Sequence, residues 1–260
     1  MFKRMFVDIE TSMNEGRFWR VGYNLNLTAE NITKERQIIC IAWKWQHAKK
    51  VSCLDWNQGS ILFMPDCKPA QPTDKYMLEK FVSVMMEADQ IVAHNGDRFD
   101  IPWIRGRCLI NKIPCTDQLP SFDTLKGMRS KFKLNSNRLD YASKLLGHKG
   151  KDETGGFQLW HDVMDGKKSA LKKMKSYCKS DVLRLEELYL DIENYVPYKT
   201  HVGVTNGLPR WTCPRCGSTE VVSNGPAILA SGTIKYKMHC QSCGGYYRVS
   251  NAVNRERTKE

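Results

Sequence analysis

Hydrophobic and polar positions change period several times along the chain, and each change marks an element. In MFVDIET (5–11) a short apolar run passes into alternation. In an extended chain Val7 and Ile9 then share one face and Asp8 and Glu10 the other. RQIICIAWKW (36–45) and VSCLDW (51–56) read as strands flanking a His-Ala-Lys-Lys connection. With FVDIE they predict three neighbouring antiparallel strands.

YMLEKFVSVMMEAD (76–89) carries apolar residues at helical spacing, and the polar, Pro-rich MPDCKPAQPTDK (64–75) before it reads as a loop. QIVAHN (90–95) predicts a buried strand, DIPWIRGRCLINK (100–112) a helix, and LPSFDTL (119–125) another strand. SNRLDYASKLLGHKGK (136–151) predicts an amphipathic helix capped by Ser136 and stopped at Gly147. The longest helical pattern runs over 169–196, with Pro197 as its stop, and THVGVTNGLP (200–209) reads as a linker. Strands first, then alternating helices and strands, predict an α/β sheet covered by helices.

After the linker, WTCPRCGS (211–218) and MHCQSCGGYY (238–247) place Cys213, Cys216, Cys240 and Cys243 as two C-x₂-C pairs. This spacing predicts one tetrahedral structural Zn²⁺, with TEVVSNG and GTIKYKMHC as strands between the pairs: a zinc ribbon. Two disulfides are the alternative, and His239 is a possible substitute ligand. A segment of this size needs such a staple to fold alone. The remaining cysteines, Cys40, Cys53, Cys67, Cys108, Cys115 and Cys178, have no regular spacing and read as reduced, partly buried residues.

Charge narrows the class. Forty Lys and Arg against 28 Asp and Glu leave a net +12, which fits a polyanionic partner, nucleic acid foremost. No run of 18 apolar residues indicates a membrane span, and Asp8 and Glu10 interrupt any signal-peptide core after MFKRMF. A cytoplasmic protein is expected. Lys126, Arg129, Lys131, Lys133, Arg138, Lys144, Lys149 and Lys151 crowd one stretch with a single acid, Asp140. That stretch reads either as a phosphate-binding surface or as a solvated face.

Two adjacent carboxylates repel unless a cation lies between them, and oxygen-only ligands suit Mg²⁺ or Mn²⁺. Alone, Asp8-Ile9-Glu10 reads as a solvated strand end. In HNGDRFDIPWI (94–104), Asp100 sits where a strand-to-helix junction aims it at the same place, while Asp97 reads as a helix cap and His94 as a packing residue. In YCKSDV (177–182), Tyr177 and Asp181 are four apart and share a helix face.

Together, in this order, these motifs resemble the DEDD superfamily of 3′→5′ exonucleases, which have a ribonuclease H-like fold. Its D-x-E motif matches Asp8 and Glu10, its N-x(2–3)-F-D motif Asn95, Phe99 and Asp100, and its Y-x-x-x-D motif Tyr177 and Asp181. The tyrosine is similar to the branch that includes the proofreading domains of family-B polymerases, and residues 122–147 resemble the corresponding stretch. No polymerase domain accompanies it, in contrast to those polymerases.

The resemblance implies Asp8, Glu10, Asp100 and Asp181 as ligands of two Mg²⁺ or Mn²⁺ ions, with Tyr177 holding the attacking water. A phenol of pKa about 10 stays protonated near neutrality, so it orients water and leaves the acidity to the metal. Substrate contacts are expected from Thr11, Asn95 and Phe99 and from Lys131, Lys133 and Arg138, while Trp103, Trp160, Phe99 and Phe132 are candidates for stacking on bases. The expected organisation is a ribonuclease H-like exonuclease domain (1–199), a linker (200–209) and a zinc ribbon with a basic tail (210–260). The expected substrate is single-stranded DNA, in replication, repair or recombination, of viral or plasmid origin. A polymerase or other replication protein is an expected partner. An exoribonuclease and a non-catalytic nucleic-acid-binding scaffold are the rival readings.

Overall fold

The computed structural model describes residues 1–20, 27–59, 73–115, 119–150 and 155–259. Most of the Pro-rich loop (64–72), Cys67 and Lys151 lie outside them. The strands are β1 (Arg4–Thr11), β2 (Glu15–Gly16), β3 (Ile32–Lys34), β4 (Ile38–Trp45), β5 (Ser52–Asp55), β6 (Gln90–Ala93), β7 (Ser121–Asp123), β8 (Val221–Ile228), β9 (Ile234–Cys240) and β10 (Tyr246–Ser250). The helices are α1 (Lys75–Met85), α2 (Asp100–Ile110), α3 (Thr124–Lys131), α4 (Leu139–Leu145), α5 (Phe157–Met164), α6 (Lys168–Ile192), α7 (Val202–Thr205) and α8 (Asn251–Arg257).

The main sheet has the order β5-β4-β1-β6-β7. β1 pairs antiparallel with β4 and parallel with β6, so it is the strand at which direction switches. β4 and β5 are antiparallel, and β6 and β7 parallel. The three antiparallel strands and the helix-covered sheet are those expected from the hydropathy pattern, and the sheet's mixed character is that implied by the ribonuclease H-like resemblance.

Side-chain alternation along β1 sorts the molecule into two cores. Met5, Val7 and Ile9 pack with α1 and α2. Phe6 points the other way, onto α6, where its ring meets Tyr189 at 5.5 Å. Asp8 and Glu10 follow Phe6 by period two and therefore also face α6.

Helix α6 runs across that face on a stripe of buried residues that includes Met174, Tyr177, Cys178, Asp181, Leu185 and Leu188. Each large apolar member contributes about 2 kcal/mol on burial. That sum offsets the cost of placing Asp181, 8% exposed, in a core-facing position. A buried Lys44–Glu186 ion pair and the His47 N–H donating to Glu186 Oε1 (3.0 Å) fix α6 over β4.

Some boundaries differ from the sequence reading. Ser136 does not cap α4: Arg138 is the N-cap, and Ser136 Oγ accepts from the Arg138 N–H (3.3 Å). The Gly147 stop is as expected, with φ +86° and a His148 N–H to Ser143 carbonyl bond closing the turn. α6 ends at Ile192, before Pro197, because the Tyr195 N–H turns back to the Ile192 carbonyl (2.9 Å). Residues 202–205 of the expected linker form α7, with Val202 and Gly203 buried. A Cβ on Gly203 would lie 2.0 Å from Thr212 Oγ1, so only glycine permits this contact.

β8, β9 and β10 form a second, antiparallel sheet around Trp211, Met238, Tyr247 and Val249. The Tyr247 hydroxyl donates to the Trp211 carbonyl at 2.6 Å. This small sheet carries the cysteine cluster and is consistent with a zinc ribbon. Arg215 Nη2 donates to the carbonyls of Asn194 and Val196 (3.2 and 2.9 Å), so the sheet is tied to the segment that follows α6. No described helix is long and apolar enough to cross a membrane.

Candidate carboxylate site and cysteine cluster

Three local structures deliver the acidic residues. β1 supplies Asp8 and Glu10, and its pairing with β4 shifts register between Glu10 and Thr11. Such irregularities re-aim side chains at strand ends. After β6 the chain turns tightly through His94-Asn95-Gly96-Asp97. Asn95 adopts φ +66°, which asparagine tolerates. A Cβ on Gly96 would lie 2.3 Å from Ala93 Cβ, so glycine is required there. The turn leads into α2, whose first residue is Asp100. α6 supplies Tyr177 and Asp181 one helical turn apart.

Ligand oxygens of Asp8, Glu10 and Asp181 lie within 4.8 Å of one another. Asp100 is outside that group but adjacent: its Oδ1 accepts from the Ile9 N–H at 3.1 Å, and its charge acts on Asp8. Burial holds the Asp8 carboxyl well above its ordinary range, and repulsion from Asp100, Glu10 and Asp181 adds to it. Asp100 is pushed up to about 7, chiefly by burial. Asp8 Oδ2 is buried without a hydrogen-bond partner among the described residues. The Cys178 thiol donates to the Asp8 carbonyl (3.3 Å).

A buried, unpartnered carboxylate oxygen among mutually repelling acids is what a divalent cation would satisfy. The donor set is all oxygen, and the Asp/Glu group therefore fits such an ion.

One cation in the site was not foreseen. Arg184, 3% exposed, donates from Nη1 to Asp181 Oδ1 (2.7 Å) and from Nη2 to the Gly150 carbonyl (2.8 Å). It lies three residues after Asp181, and that helical spacing was the available signal. Arg184→Met should lower the stability of the metal-free protein by about 3 kcal/mol, because Asp181 loses its buried counter-ion; chemical denaturation in chelator measures this. Asp123 was also missed. It caps α3 by accepting from the Lys126 N–H and holds the 94–97 turn by accepting from the Asn95 N–H (3.0 Å).

The other expected residues scatter more widely. A cleft of about 720 Å³ contains Asp8 and Asp181, with His94, Arg129, Asn137 and Arg138 on its walls. Burial lowers the pKa of His94, whose Nδ1 lies 2.8 Å from Thr124 Oγ1. Lys131 and Lys133 are exposed and do not line that cleft. Thr11 is buried at the end of β1. Asp97 does not cap α2; it accepts from Ser121 Oγ and Lys126 Nζ. Phe99 and Trp103 are half-buried against one core and Phe132 and Trp160 against the other. Trp160 meets the Tyr177 ring at 6.5 Å.

Cys213, Cys216, Cys240 and Cys243 converge at the base of the small sheet. The Cys213–Cys243 and Cys216–Cys240 sulfur separations are both 3.7 Å. A tetrahedron with metal–sulfur bonds of about 2.3 Å has sulfur–sulfur edges of about 3.8 Å, so the cluster fits one tetrahedral ion. A hydrogen bond from Cys216 holds the Cys213 thiol down to about 5.

Residues 42–192 match a family model described as the RNase H superfamily. That span includes Asp100, Tyr177 and Asp181 and begins after Asp8 and Glu10. No curated protein matches the chain. Among solved structures, it is similar to the family B DNA polymerase from the hyperthermophilic archaeon Pyrobaculum calidifontis, at TM-score 0.49 and 15% identity. The likeness covers 75% of this chain and 25% of the polymerase, so the chain spans about a quarter of that protein's length.

Proposed function

Because the chain belongs to the RNase H superfamily, we propose that it is a metal-dependent 3′→5′ exonuclease that removes terminal nucleotides from single-stranded DNA. Superfamily membership and the carboxylate group support a nuclease. The direction and the substrate rest on the motif resemblance. The observation that carries the reading is Asp8 Oδ2, buried and unpartnered beside Glu10 and Asp181.

In this reading Asp8, Glu10, Asp100 and Asp181 hold two Mg²⁺ or Mn²⁺ ions. Bound there, the ions would acidify the attacking water and neutralise charge developing at phosphorus. The chain's own residues do the positioning. Arg184 pairs with Asp181 and aims it. Tyr177, wedged against Trp160, orients the water through its hydroxyl. Arg129 and Arg138 on the cleft walls take the phosphates of the strand. The 1–199 segment carries this chemistry and the 210–260 segment is a zinc ribbon, with Zn²⁺ on its four cysteines. Replication, repair or recombination, in the cytoplasm and beside a polymerase or other replication protein, suits such an enzyme.

Incubation with 3′- and 5′-labelled DNA and RNA, with Mg²⁺, Mn²⁺ or EDTA, tests the proposal. Stepwise loss from DNA 3′ ends with either metal is the expected result. Preferential trimming of RNA would replace DNA as the substrate, and no hydrolysis at all would leave only a binding scaffold. Tyr177→Phe should retain a residue of activity, down roughly 10- to 100-fold, because one hydrogen bond to water is lost while the metal ligands remain.

A further inference from the structure

The outward face of the small sheet has no role in the reading above. Pairing of β9 with β10 sets His239 opposite Tyr246, Lys237 opposite Arg248 and Lys235 opposite Ser250. Met238, Tyr247 and Val249, at the alternate positions, fill the core. The first set must therefore face out.

The His239 and Tyr246 rings stack at 4.3 Å and 9°, and Gln241 Nε2 lies 3.2 Å from His239 Nδ1. Tyr246 remains 63% exposed. Beside it, two cations stand directly opposite each other, an arrangement that destabilises a sheet. No salt bridge to Lys237 or Arg248 is found among the described residues. A flat ring on a supporting ring, next to two opposed cations, is complementary to a base and its flanking phosphates. A duplex hides its base faces; a single strand offers them.

We infer that this face binds single-stranded nucleic acid, with one unpaired base stacked on Tyr246 and phosphates on Lys237 and Arg248. The inference rests on the nucleic-acid reading of the protein and is independent of hydrolysis.

The test uses the full-length, zinc-loaded chain carrying Asp8→Asn to prevent cleavage, and follows fluorescence anisotropy of a labelled oligothymidylate. Tyr246→Ala should weaken binding roughly tenfold, in line with base–aromatic stacking, and Tyr246→Phe should bind as the parent does. Lys237→Gln and Arg248→Gln should each lower the slope of log affinity against log salt by about 1. Unchanged binding by Tyr246→Ala would overturn the inference, as would equal loss on single strands and blunt duplex. If the nuclease reading alone were wrong, the Asp8-intact protein would fail to hydrolyse DNA while this dependence on the Tyr246 ring persisted.

Discussion

Asp8→Asn protein, given Mg²⁺ and a 3′-labelled oligonucleotide, should release nucleotide at least roughly 10⁴-fold more slowly than wild type, since in the proposed mechanism several kcal/mol of metal-derived stabilisation would depend on this ligand. In chelator the same variant should be harder to unfold. Wild-type Asp8 brings a carboxylate into a buried site already facing Asp100, Glu10 and Asp181, and an amide of the same shape does not.

The pH dependence gives the sign. Asp8 and Asp100 bind protons more tightly folded than unfolded, Asp100 up to about 7 against an ordinary 3.8. The native state therefore holds more protons above pH 3.8, and its stability falls as pH rises through that window. Asp8→Asn lacks one of these groups. In chelator its advantage over wild type should be small near pH 4 and grow toward pH 8. With Mn²⁺ the order should reverse, because only wild type gains the full binding energy. Thermal melts of both proteins across pH, with EDTA and with Mn²⁺, provide the readout. Near-wild-type hydrolysis by Asp8→Asn would end the metal assignment.

The second large effect is expected at the cysteines. Structural zinc in small domains contributes on the order of 10 kcal/mol or more, which exceeds what a small core such as Trp211, Met238 and Val249 supplies. Cys213→Ser should lose the zinc proposed for this cluster, measured by metal analysis, and the amides of β8–β10 should lose hydrogen-exchange protection. The Asn194 and Val196 carbonyls would lose Arg215. The carboxylates lie on other elements, so hydrolysis of a short substrate should persist. Loss of that activity together with the zinc, in a chain whose main sheet stays protected, would show that the two parts share one site.

The main fold was legible because its strands and helices bury opposite faces with clean periods. Val7 and Ile9 against Asp8 and Glu10 is the clearest case. The grouping of Asp8, Glu10 and Asp181 was legible only from motifs taken in order, since no single one separates a metal ligand from a solvated acid. Arg184 was half legible: its spacing from Asp181 marks a shared helix face, but the carbonyls of Lys149 and Gly150 reach it only after folding. The short helix at Val202 was not legible: there Gly203 lies against Thr212, a contact formed only in the folded chain. Phe99 and Trp160 illustrate the same limit, because an aromatic side chain carries no sequence mark of whether its ring will meet a base or a neighbouring core.

One rod of helix, α6, carries Asp181 and leads to the segment on which the small sheet is fastened. Asp181 lies along α6, and the small sheet is fastened just past its last turn, about 17 Å further on. A rigid spacer of that kind acts as a ruler. On the proposed reading, a strand long enough to span the carboxylate cleft and the Tyr246 face is held twice, and one shortened below that span is held once. If the carboxylate site cuts DNA and the small sheet grips it, as proposed, digestion should slow, and the fragments begin to dissociate, at a remnant length set by the separation of the two sites and not by the sequence of the DNA.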